Sequence, residues 1–146
     1  MLRPATALAA FLLLTAFTGT DRMAFELQPG RWLVFETLML DGEYVEENES
    51  EFCATKWERR TPADFLAMAA RGASCEITSQ ARDGEMIDLV YACRDGPVRE
   101  GKIRIGGSID DLAVWAEANY QTQDGRVVPA YIDTGFLFDG PCQTTE

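Results

Sequence analysis

The chain predicts a mainly β fold: an antiparallel meander of about six or seven strands, forming a curved sheet or small barrel, with one short helix and two disulfides. Three observations carry this expectation. Apolar residues alternate with period two over several segments, as in Val128, Ala130, Ile132, Thr134, Phe136 and Phe138. Gly-containing turns such as Asp83-Gly84 and Asp124-Gly125 separate those segments. Four cysteines, an even number, follow an N-terminal apolar leader.

Composition narrows the function classes. The 146 residues carry 24 acidic and 13 basic side chains, a formal net charge of −11. A nucleic-acid binder would show a basic footprint, and docking on an anionic membrane would need one too. The chain has no histidine, which removes Ser-His-Asp, Cys-His and His-ligated metal chemistry together.

In chain order, Arg3 followed by the uncharged run Ala5 to Phe17 has the form of a signal peptide. That run falls short of the roughly 20 apolar residues a membrane span requires. Residues 1–24 are therefore expected to be an export signal, cut between 18 and 24, and residues 25–146 a single β-rich domain with no transmembrane span. An uncleaved inner-membrane anchor is the competing reading.

Arg31 to Leu40 predicts a strand with Trp32, Val34, Leu38 and Leu40 on one face. Leu33, Phe35 and Met39 make its other face apolar too, as in a strand covered on both sides or partly occupied on the outside. Asp41 to Glu51 holds six carboxylates in eleven residues, the pattern of a solvated, self-repelling loop or edge. A divalent-cation site is the chemical alternative, but the spacing matches no EF-hand, so no metal site is assigned. Glu51 to Trp57 reads as a short strand. Thr61 is a good N-cap before Pro62 and Asp64, opening a helix with an apolar stripe of Phe65, Leu66, Met68 and Ala69 that ends near Arg71-Gly72.

The segments around Arg82-Asp83-Gly84 predict a hairpin. Matching apolar faces places Cys93 opposite Cys75, Tyr91 opposite Ile77, Leu89 opposite Ser79 and Ile87 opposite Ala81. A one-residue slip would turn the second strand's apolar set outward. Cys75–Cys93 then follows as a disulfide, leaving Cys53–Cys142. Glu100 to Ile105 alternates as a strand, with Gly101, Ile103 and Ile105 inward. Asp111 to Thr122 fits a strand or a helix, and its Asp124-Gly125 turn favours a hairpin with the next strand. Pro129 within that last strand suggests an edge position or a bulge.

The opening Leu27-Gln28-Pro29-Gly30-Arg31-Trp32, the order of the four cysteines, and the closing Gly140-Pro141-Cys142 resemble the bacterial exported family called domain of unknown function 3617. The resemblance spans about residues 26–142. It implies a small, exported, periplasmic β-rich domain with no established activity, and contributes no catalytic residue. The acidic 41–51 segment departs from the family pattern.

No catalytic constellation emerges. Ser50, Ser74, Ser79 and Ser108 lie in no G-x-S-x-G elbow, Gly106-Gly107 is no phosphate loop, and Asp110-Asp111 on a strand would point to opposite faces. A carboxylate-dependent hydrolase would need two acids converging in a cleft. The expectation is a non-catalytic domain without cofactor that binds a small apolar ligand or lipid in a pocket lined by Trp32, Tyr91, Trp115 and Phe136, with Trp57 a further candidate. The alternative is an envelope protein–protein interaction module acting through a sheet edge or the acidic 41–51 face. Lys102 and Arg104, near Arg94 and Arg99, form a basic stripe suited to pairing with that acidic segment.

Overall fold

The computed structural model describes residues 23–143; the expected export signal lies almost wholly outside them. Nine strands and one helix follow in order: β1 (Phe25–Leu27), β2 (Gly30–Leu40), β3 (Glu43–Ala54), β4 (Glu58–Arg60), α1 (Pro62–Ala70), β5 (Cys75–Asp83), β6 (Met86–Cys93), β7 (Val98–Gly107), β8 (Asp111–Gln121) and β9 (Val127–Phe138). Seven form one antiparallel sheet in the order β3-β2-β9-β8-β7-β6-β5, and β1 pairs with β4 in a separate ribbon. The sheet is open. Its edges are β3 and β5, so the barrel alternative does not apply, and the strand count exceeds the six or seven expected because β1 and β4 are too short to show a period.

One face of the sheet carries the core. Trp32 and Leu38 of β2, Ile87, Leu89 and Tyr91 of β6, Ile103 and Ile105 of β7, and the even-numbered positions from 112 to 118 of β8 and from 128 to 136 of β9 are buried, as period-two alternation requires. Helix α1 covers this face at β5, β6 and β7 through Phe65, Leu66, Ala69 and Ala70. Met68 is half-buried beside them. The ribbon joins the same core through Leu27, and Phe25 meets Phe65 edge-on with ring centroids 6.1 Å apart.

The helix termini follow their residues. The Asp64 carboxylate accepts hydrogen bonds from both the amide (2.7 Å) and the hydroxyl (2.9 Å) of Thr61, stabilising the first turn. At the other end Arg71 adopts the left-handed conformation, φ 48° and ψ 45°, which side chains other than glycine adopt at a cost. Its guanidinium bonds Glu36 of β2 at 3.0 Å and Glu46 of β3 at 2.6 Å. The end of the helix is thereby tied to the far side of the sheet.

Both disulfides form with the expected pairing, Cys53–Cys142 and Cys75–Cys93. The hairpin register holds only near the cysteines: Cys75 faces Cys93 and Ile77 faces Tyr91. An irregularity at Thr78 then shifts the pairing, so that Gln80 faces Leu89 and Arg82 faces Ile87, in place of Ser79 and Ala81. A bulge absorbs one residue and lets the hairpin close on Gly84 and Glu85. Arg82 is accommodated on the core side because its guanidinium stacks over the Phe25 ring at 5.8 Å.

Residues 111–121 are a strand, not a helix. Glu51 to Ala54 continues β3 and is not a separate strand. Pro129 lies in β9, a central strand, contrary to the edge expected. Its carbonyl accepts from the Asp41 amide, just past the last β2–β9 pair, Leu40↔Ala130. The missing N–H thus falls at the β2–β3 turn, where no ladder bond is lost.

Candidate functional site

Alternation that buries one face leaves the other to its own side chains. The second face of this sheet is not polar throughout. Directly paired residues share a face, so the ladder defines its rows: Glu51, Leu33, Leu137 and Asp111; Glu49, Phe35, Gly135 and Ala113; Glu47, Thr37, Asp133 and Trp115. Met39, Tyr131 and Glu117 continue the pattern. Phe35, Trp115, Tyr131 and Leu137 are 41–45% exposed. Together with half-buried Leu33 and Met39 they make an apolar patch centred on β9.

From Tyr131 to Leu137 the patch runs about 20 Å at the usual strand rise, and from β3 to β8 it is about 14 Å wide. An area on the order of 300 Å² is in the range where an exposed patch carries function. Carboxylates rim it: Glu47, Glu49 and Glu51 on β3, Asp111 and Glu117 on β8, and Asp133 within it. Nearby cations have partners. Arg104 bonds Asp88 at 2.7 and 3.3 Å, which holds the Asp88 carboxyl below its ordinary value. Arg31 pairs with Asp139 and lies 3.9 Å from Glu51.

Beside the patch, an open groove of about 670 Å³ crosses β5 to β9, lined by residues including Val90, Ala92, Glu100, Lys102, Pro129 and Tyr131. Asn119 donates to Glu100 across it at 3.2 Å.

The four aromatic side chains expected to line one pocket do not meet. Trp32, Tyr91 and Phe136 are packed in the core at 0–6% exposure. Trp32 donates from Nε1 to the Gln28 carbonyl at 3.0 Å and stands edge-on to Phe138. Trp115 is on the opposite face, because it alternates with buried Leu112, Val114 and Ala116. Trp57 is 54% exposed. Of the four, Tyr91 alone borders the groove. Leu33, Phe35, Tyr131 and Leu137 were not expected as site residues, although the doubly apolar pattern of β2 signalled the first two.

The acidic segment is the edge strand β3, and alternation divides its carboxylates. Glu46 points to the core side, where bonds from Arg71 and then Asn48 hold its pKa below the ordinary value. Glu47, Glu49 and Glu51 share the other face. Among the described residues no group of three or more His, Cys, Asp or Glu side chains is placed to hold a metal ion. The basic stripe does not pair with β3: Arg104 binds Asp88, Arg94 binds Glu76 at 3.2 Å, and Arg99 donates to Gln121. Among the described residues no helix is long and apolar enough to cross a membrane.

No family model, no curated protein and no solved structure matches the chain.

Proposed function

We propose that the protein is an exported, periplasmic, non-catalytic β-domain that binds another component of the cell envelope through the uncovered face of its sheet. The observation that carries this reading is the patch of Phe35, Trp115, Tyr131 and Leu137, left two-fifths exposed beside an acidic edge strand. Exposed large side chains forgo the stabilisation of burial, about 25 cal/mol per Å², and a patch of them on a soluble surface fits an interaction site. The leader sequence and the disulfides support export. The absence of histidine from the chain and of any serine elbow supports a role without covalent chemistry.

A photo-crosslinking residue in place of Trp115, in protein expressed in its own cell envelope, tests the reading. A discrete adduct is expected there and not from the same residue at exposed Val45. Adducts of equal intensity from both positions, or none from Trp115, would overturn it.

A small apolar ligand is the second reading, favoured by the groove between Val90, Ala92 and Tyr131. Its mark would be a stoichiometric extra mass in native mass spectrometry of protein purified from the periplasm, removed on denaturation.

A further inference from the structure

Resting on the face-binding reading, the geometry points to a specific occupant: an extended polypeptide segment carrying an aromatic or branched apolar side chain between lysines or arginines, the apolar side chain seating on Gly135.

Glycine inside a strand weakens it, and in these proteins it marks a bulge or a close approach of another group. The other strand glycines of the described residues are accounted for within the chain. A side chain at Gly30 would strike the Phe138 ring, at Gly101 the Tyr91 hydroxyl and the Glu117 carbonyl, at Gly106 the Met86 sulfur, and at Gly107 the Asp111 carbonyl. Gly135 differs. Its chain neighbours aside, no atom of the described residues lies within 4 Å of where its Cβ would stand, and its backbone is not in the left-handed region. Neither local conformation nor internal packing requires glycine here.

What surrounds the position is a notch. Phe35 and Ala113 flank it as direct cross-strand partners, Leu137 and Asp133 along its own strand, and Trp115 on the diagonal. With no side chain at this position, the space above its backbone is open to a side chain from outside.

Charge selects the partner. The rim contributes Glu47, Glu49, Glu51, Asp111, Asp133 and Glu117, while Arg104 and Arg31 are engaged by Asp88 and Asp139. Lys102 stands at the groove, directly opposite Glu117 in the β7–β8 ladder. A second copy of this face would bring carboxylates against carboxylates, and an anionic bilayer would be repelled. A basic segment is attracted. The patch dimensions suit about six extended residues, well below the roughly 800 Å² a globular partner covers.

Titration calorimetry and amide chemical-shift mapping test this with a ten-residue peptide alternating lysine with phenylalanine and valine, against its twin with glutamate for lysine. Saturable binding of the lysine peptide is expected, with shifts centred on Phe35, Trp115 and Gly135 and at least a tenfold weakening between 50 and 500 mM salt. Gly135→Val, whose new side chain has open space, should retain the thermal midpoint and lose at least tenfold in affinity. Gly135→Ala should fall between, which keeps the comparison decisive if valine perturbs the fold. No saturable binding, equal binding of the glutamate twin, an affinity indifferent to both substitutions, or shifts mapping to another surface would overturn the inference. So would a concentration-dependent dimer broken by Gly135→Val, which would assign the notch to a second copy. A Trp115 adduct obtained alongside any of these failures would leave the face-binding reading standing and remove only the basic segment.

Discussion

Tyr91 buries its hydroxyl against Gly101, and among the described residues that hydroxyl has no hydrogen-bond partner. Burial pushes its pKa up to about 12, so it is neutral near neutral pH. An unpaired buried hydroxyl costs stability. Tyr91→Phe is therefore expected to leave the urea midpoint unchanged or raise it, by up to about 1 kcal/mol of stability. Arg71 shows the opposite balance. Burial works against its charge, and its bonds to Glu46 and Glu36 more than offset this, so its pKa is raised overall. Arg71→Ala should remove the ion pairs and keep a non-glycine residue left-handed, whereas Arg71→Gly removes the pairs and relieves the backbone. The alanine variant should be the less stable of the two by about 1 kcal/mol in chemical denaturation. The pH dependence has a definite sign. Glu46 has a lowered folded-state pKa, so the stabilisation it shares with Arg71 is complete above its ordinary value of 4.5 and is lost as pH falls through the lower folded value. Both groups are partly exposed, so this contribution is about 0.5 kcal/mol; the acid limb of the stability profile should flatten in Arg71→Ala.

At the scale of elements, the two disulfides do different work. Cys75 and Cys93 staple two strands already paired by their hairpin. Cys53 and Cys142 join the end of β3 to the segment after β9, across 89 positions against 18. The chain-entropy model gives about 4.5 kcal/mol for the long link and about 3 kcal/mol for the short one. Replacing Cys53 and Cys142 by serine should lower the thermal midpoint more than replacing Cys75 and Cys93. These elements also show what periodicity can and cannot reveal. Strand β9 was legible because ten or more residues alternate without interruption, whereas the alternation of β8 also fitted a helix and only its Asp124-Gly125 turn favoured a strand. The Thr78 bulge was not, since Ser79 and Ala81 are small enough to suit either face, and the stacking of Arg82 on Phe25 that secures the shifted register is a contact between distant segments. The ribbon of β1 with β4 escaped for the same reason: three residues define no period. The candidate pocket failed on parity. Leu112, Val114 and Ala116 inward already place Trp115 outward, and aromatic character alone does not place a ring in a cavity.

For the whole molecule, the open sheet poses the problem of its edges. A long exposed edge strand is a template for another chain. Along β3 the answer is charge, since two copies of the edge would set Glu47, Glu49 and Glu51 against their counterparts. Converting those three residues to glutamine should leave the fold intact and produce concentration-dependent association in sedimentation velocity at low salt; a monomer under all conditions would show that charge does not protect this edge. The sheet order has a further consequence. Strand β2 is made early, yet one of its two neighbours is β9, the last strand of the chain. Contacts so distant in sequence slow folding, and here they withhold a central seam until synthesis is nearly complete. A nascent chain stopped before Val127 lacks the strand that joins β2 to β8, so the two halves of the sheet stay unjoined until the last twenty residues are made.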